Sequence, residues 1–93
     1  MIISFKCKET EKIFNRTFSK KLPQEMQRAG YKKLLMLDAA IELKDLKIPP
    51  ANQLEKLSGD RTGQYSIRVN KQYRVCFTWS DGRAENVEIT DYY

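Results

Sequence analysis

Between Gln64 and Trp79 the apolar residues fall at every second position: Tyr65, Ile67 and Val69, then Tyr73, Val75, Phe77 and Trp79. That is the period of strands with one buried face, so the chain has to fold around at least one antiparallel pair. With Asn70-Lys71-Gln72 as a three-residue loop, Val69 meets Tyr73, and the same register sets Arg68 directly across from Arg74 on the other face. Ser80-Asp81-Gly82 is a second turn signal, and in the stretch that follows Val87 and Ile89 are the apolar alternates. A two-residue Asp-Gly loop would turn both toward the face of Arg74. An odd-length loop ending in Gly keeps them beside Val75 and Tyr73, and that is the register expected. The polar face of the three strands then carries Arg68, Arg74, Glu88, Thr90 and Tyr92. Two arginines with a tyrosine beside them suit phosphate binding and phosphoryl chemistry. Arginines on a wetted sheet face are as often solvated, or paired with a neighbour such as Glu88.

The length of 93 residues fits one domain, 1–93, with a modest core. The chain contains no histidine, which excludes histidine-based zinc sites, Ser-His-Asp triads and paired-histidine nuclease chemistry. Acid-base work has to fall to Glu, Asp, Tyr, Lys or Arg. A net charge of +5 suits a polyanionic partner such as RNA, DNA or an acidic protein segment. Long apolar runs are missing and Met1-Ile2-Ile3-Ser4-Phe5-Lys6 does not read as a signal peptide, so a cytoplasmic protein with no membrane partner is expected. Cys7 and Cys76 lack the close spacing of a metal or redox pair and read as reduced thiols.

Along the chain, Met1 to Phe5 reads as a first strand. A short helix follows from about Thr10, with Ile13 and Phe14 inward and Phe18 one turn further on, and Pro23 ends that region. Met26, Gly30, Leu34, Leu37 and Ile41 then mark the inner stripe of a long helix, expected from about Gln24 to Leu43. Arg28, Lys32 and Lys33 on its other faces, with Lys20 and Lys21 just before it, form a basic cluster; solvated helix faces often look like this, and so do contacts to a phosphate backbone. Residues 44–52 form a proline-stiffened connector, Gln53 to Leu57 starts the next strand, and residues 58–63 turn. The fold class is therefore α+β: a compact domain with an N-terminal strand and two helices packed on one face of a mainly antiparallel, twisted sheet.

Leu54, Leu57, Gly59-Asp60-Arg61, Gly63, Tyr65-Ser66-Ile67 and Val69-Asn70, then Tyr73-Arg74-Val75, Phe77 and Asp91-Tyr92-Tyr93, resemble the RelE/ParE toxin superfamily in its HigB branch. Leu37-Asp38-Ala39-Ala40, Leu43, Asp45-Leu46 and Pro49-Pro50 extend the likeness over nearly the whole chain. The resemblance implies a RelE-like fold and the toxin of a type II toxin-antitoxin pair: a metal-independent endoribonuclease, needing no cofactor, that cleaves messenger RNA in the ribosomal A site by attack of a ribose 2′-hydroxyl on the adjacent phosphate. It assigns Arg74 as the phosphate-contacting arginine, Tyr92 as the residue that orients or stacks on the base, and Asp91 as the acid beside it. For Arg68, the RelE branch carries an arginine at the comparable strand position, while other HigB-type chains vary there. Lys56 and Arg61 join Lys20, Lys21, Arg28, Lys32 and Lys33 as RNA-binding candidates.

Departures from the pattern carry information too. Better-known relatives end in Asp-Tyr-His and carry a histidine and a lysine where this chain has Glu55 and Ser58. Glu55 and Tyr93 replace the two histidines. Glu55 is left as the candidate base and Tyr93 as a stacking or phosphate-bonding group, which implies an enzyme of reduced activity, because a phenol with a pKa near about 10 exchanges protons poorly at neutral pH. The family also implies a helix-turn-helix, HigA-like antitoxin encoded by the adjacent gene, and the ribosome with its message as target. Two other readings share the fold: a ParE-like toxin acting on DNA gyrase without cleaving RNA, and a toxin-derived binding module that is catalytically weak.

Overall fold

The computed structural model of the chain describes residues 1–91. Helix α1 spans Lys8–Phe14 and helix α2 Gln24–Ala39; strands β1 Glu55–Lys56, β2 Gln64–Arg68, β3 Arg74–Ser80 and β4 Arg83–Thr90 follow. The strands form an antiparallel meander in the order β1-β2-β3-β4. Both helices lie on its apolar face. Met26, Leu34 and Leu37 of α2 and Ile13 of α1 pack with Ile67, Val75, Phe77, Val87 and Ile89, all essentially without solvent exposure. Helix α2 sits so close to β4 that a β-carbon on Gly30 would lie 3.0 Å from Ile89 Cδ1.

The hairpin register follows the alternation. Ile67 pairs with Val75 and Arg68 with Arg74. The second turn differs from expectation in its mechanism. Asp81 and Gly82, both at positive φ, form a two-residue loop that pairs Ser80 with Arg83, the turn geometry that Asp-Gly favours. The face is restored further on by a bulge: Cys76 pairs with Glu88 but Thr78 with Glu85, so Asn86 and Val87 together face Phe77. Asn86 takes the left-handed conformation that asparagine tolerates, at φ 54°. Ser4 accepts its amide through Oγ and that of Val87 through its carbonyl. Val75 thus lies beside Ile89 and Arg74 beside Thr90.

The N-terminal segment is less regular than a strand. It runs parallel to β4 and meets it in isolated bridges, Ile2 with Ala84 and Phe5 with Val87. Helix α2 stops four residues short of Leu43 because Asp45 competes for the backbone: its carboxylate accepts the amides of Ile41 and Glu42, opening a 3-10 turn at Leu43–Lys47. Those two bonds hold the Asp45 pKa below its ordinary value. Phe18 is 56% exposed, beyond the end of α1.

The loop between the helices is fastened by one carboxylate. Glu9 accepts the hydroxyl of fully buried Ser19 at 2.5 Å, and the Gln27 side chain both accepts the Ser19 amide and donates to the carbonyls of Ser19 and Leu22. The Ser19 bond first, then Lys12 and Lys21, lower the Glu9 pKa against the opposing effect of burial. A depressed carboxylate stabilises the fold at pH values above its unfolded pKa, and that contribution disappears as pH falls through the lower, folded value. Thermal melts from pH 7 to pH 3 should therefore show wild type losing its advantage over Glu9→Gln on acidification. Parallel curves would disprove the coupling.

Candidate functional site

The sheet face turned away from the helices is polar, and its register can be written row by row. Arg68, Arg74 and Thr90 lie side by side in one row, and Glu55, Ser66, Cys76 and Glu88 in the next. Directly paired residues share a face, so four candidate or charged side chains, Glu55, Arg68, Arg74 and Glu88, come together here from four strands. Asp91 follows at the end of β4, where it accepts a bond from Gln72 of the β2–β3 loop at 2.9 Å. Tyr92 and Tyr93 lie outside the described residues.

Arg74 is not on the open surface expected of it. Its side chain is 2% exposed, with Nε donating to Ser66 Oγ at 2.7 Å and Nη2 to the carbonyl of Gln53. The cover is the chain just before β1. Pro50–Asn52 makes one 3-10 turn, and Gln53 at φ 46° bends its carbonyl down to the guanidinium. Buried Asn52 fixes that turn, its amide donating to the Leu46 and Ile48 carbonyls. A guanidinium can be buried in this way because its fork matches several acceptors at once. Arg68 is half-buried and donates from Nε to the Asn70 carbonyl at 3.1 Å. Glu55 is exposed at the β1 edge.

Arg61 reaches across this face from the Gly59–Arg61 turn. Its Nη1 donates to Gln64 at 3.1 Å and to Glu88 at 3.0 Å, and Lys6 approaches the same Glu88 oxygen to 3.7 Å. Burial pushes the Cys76 thiol up to about 11, so it stays protonated at neutral pH. The charges acting on it are those of Arg61, Glu88, Arg74 and Lys6, which gather around one spot.

The remaining basic candidates are elsewhere. Lys56, one residue on from Glu55, pairs with Tyr65 and takes the opposite face. Lys20, Lys21, Arg28 and Lys32 are exposed on the helical layer across the sheet. Lys33 is not a free surface cation: its ammonium donates to Asn52 Oδ1, and desolvation lowers its pKa. A groove of about 300 Å³ on the helical side is lined by Phe18, Arg28 and Tyr31, the last with the Arg16 guanidinium 5.6 Å above its ring. No polar-face residue contributes to it. Among the described residues no cluster of three or more His, Cys, Asp or Glu is placed to hold a metal, and no helix is long and apolar enough to cross a membrane. Sequence reasoning missed Lys6, Gln53 and Ser66. Only Ser66 carried a signal, as a polar residue in register with Glu55 and Cys76.

Comparison with known proteins agrees with this architecture. A family profile described as the RelE-like toxin of the type II toxin-antitoxin system HigB matches residues 3–93. Toxin HigB-1 of Vibrio cholerae serotype O1 is 45% identical over 90 residues, covering 96% of this chain and 95% of that protein. The Endoribonuclease HigB of Proteus vulgaris is 32% identical over 94 residues, covering 100% of both. Among solved structures, the YoeB-YefM complex from Staphylococcus aureus matches with a TM-score of 0.63 at 22% identity, over 100% of this chain and 97% of that one. A YoeB/ParE toxin from Agrobacterium tumefaciens matches at 0.54 and 19% identity, over 99% and 98%. At these identities the two structures speak for the fold.

Proposed function

The chain belongs to the HigB-like family of RelE-like toxins of type II toxin-antitoxin systems, and from that premise we propose that its polar sheet face cuts messenger RNA. The whole of 1–93 serves as one toxin domain. The observation that carries this reading is the cross-strand pair Arg68–Arg74 with Glu55 one row away, in a chain alignable end to end with an endoribonuclease.

The reaction is a transesterification. Glu55 takes the proton of a ribose 2′-hydroxyl, whose oxygen attacks the adjacent phosphorus. The bond to the 5′-oxygen of the next nucleotide breaks, and that oxygen takes up a proton, leaving a cyclic phosphate and a free 5′-hydroxyl. Negative charge grows on the non-bridging oxygens in the transition state. Cations fixed beforehand in a dry site stabilise that charge without reorganising, and loss of one such donor commonly costs about 3 kcal/mol. Arg74, immobilised by Ser66 and Gln53, supplies fixed charge beneath the face, and Arg68, closer to the surface, is the direct phosphate contact. Asp91 lies at the far end of the face, and the family resemblance gives Tyr92 and Tyr93 the role of stacking on or orienting the base.

The target is the message in the ribosomal A site, which places the activity in the cytoplasm. The neutralising partner is a HigA-like helix-turn-helix protein from the neighbouring gene. Lys20, Lys21, Arg28 and Lys32 lie on the opposite side from the cutting face and are available to ribosomal RNA or to that partner. Lys56 at the sheet edge contacts the message backbone.

Brief induction of the chain followed by primer extension on a reporter message tests the reading. Cuts inside codons are expected when the message has its start codon and should vanish when it is removed. Growth arrest without cuts would overturn the nuclease and bring forward an action on DNA gyrase.

A further inference from the structure

Glu88 is an anomaly on a face meant to receive an anion. Its side chain is only 15% exposed, and two cations from distant parts of the chain converge on a single one of its oxygens, Arg61 Nη1 at 3.0 Å and Lys6 Nζ at 3.7 Å. Arg61 is also held by Gln64 at 3.1 Å, so its position does not depend on Glu88 alone. Arg74 lies further along the same face, donating to Ser66 in the row of Glu88 with Cys76 between them. One carboxylate therefore sits between two cations, an arrangement of charges that a phosphodiester oxygen would also satisfy.

We propose that the Glu88 carboxylate stands in for an RNA phosphate, occupying a second phosphate site formed by Arg61 and Lys6 beside the reacting one, and that bound RNA has to displace it. This rests on the reading of the polar face as the RNA-cutting surface. The consequence is an RNA-binding site attenuated from within. Free single-stranded RNA meets a neutralised Arg61 and binds weakly, whereas a strand held in register supplies the phosphate that takes over both cations. Glu88 acts here as a specificity residue, setting how much help from positioning the RNA needs.

The test is fluorescence anisotropy with a labelled 12-nucleotide RNA carrying 2′-O-methyl groups throughout, which cannot be cut and needs no ribosome. Glu88→Gln keeps the shape of the side chain and removes its charge. It should bind about tenfold more tightly than wild type at low salt, with a salt dependence steeper by about 0.7 in log-log slope, the increment for one more phosphate contact on a single strand. Lys6→Gln changes a side chain that is 54% exposed, so the fold is not at stake, and it should bind more weakly with a shallower slope. A folded Glu88→Gln that binds no better than wild type overturns the proposal, because Glu88 is then only a strut for the turn carrying Arg61. So does Lys6→Gln that binds like wild type, which decides the matter even if Glu88→Gln fails to fold. Either failure leaves the cutting of translated messages untouched, and loss of that cutting is read in a separate experiment.

Discussion

Arg74→Ala is expected to lose message cutting by about a hundredfold or more, the scale on which removal of one preorganised charge donor acts. Two effects combine in this variant and can be separated. Truncation takes one partner from the Ser66 hydroxyl and leaves the partly buried Gln53 carbonyl without the donor it had, a cost of about 1–3 kcal/mol for a group left unsatisfied. The segment from Pro50 to Gln53 then loses one of its ties to the sheet, and Glu55 is held by the β1–β2 pairing alone. Arg74→Lys keeps the charge, but a single ammonium cannot span both acceptors as the guanidinium fork does. Urea unfolding should rank wild type above Arg74→Lys and Arg74→Ala, while primer extension shows residual cuts for lysine and none for alanine. An Arg74→Ala protein that is folded and cuts like wild type would remove Arg74 from the site altogether.

The second large effect is on stability. Phe77 is fully buried in β3, its ring stacked on Tyr65 at 6.2 Å and meeting Trp79 edge-on at 6.3 Å. Phe77→Ala removes a full aromatic side chain from a close-packed interior and should cost about 3–5 kcal/mol, read as a lower urea midpoint. A domain of this size holds a total of about 5–15 kcal/mol, so the variant lies near the limit of folding at 37 °C. Phe77→Leu, with most of the volume kept, should cost about 1 kcal/mol. A small loss in the alanine variant would mean that the site collapses around the gap.

Patterns with a period were legible in the sequence. Alternation placed Ile67, Val75 and Phe77 on one face and Arg68 and Arg74 on the other, and the spacing of Met26, Gly30, Leu34 and Leu37 marked the inner stripe of α2. What escaped were competitions between a side chain and the backbone. Nothing periodic announces that Asp45 takes the amides which would have continued α2, or that the left-handed turn at Asn86 corrects the register after a two-residue loop. The polar face shows the same limit. Register put Arg74 there, but its burial depends on Gln53 folding across it, a contact between residues 21 apart with no repeat to reveal it. Lys33 was misjudged for a like reason: its partner Asn52 lies 19 residues on, in the connector.

The meander has a consequence in time. Strand β4 is synthesised after every element it joins: β3 beside it, the bridging residues Ile2 and Phe5, and Thr10, whose hydroxyl accepts the Ile89 amide from 79 residues away. Contacts of such separation form late, because the intervening chain has to be ordered first. While a nascent copy emerges, its helices and the β2–β3 hairpin can assemble, but the two rows that end in Thr90 and Glu88 stay open. The face proposed to cut RNA is therefore the last part of the sheet to be completed.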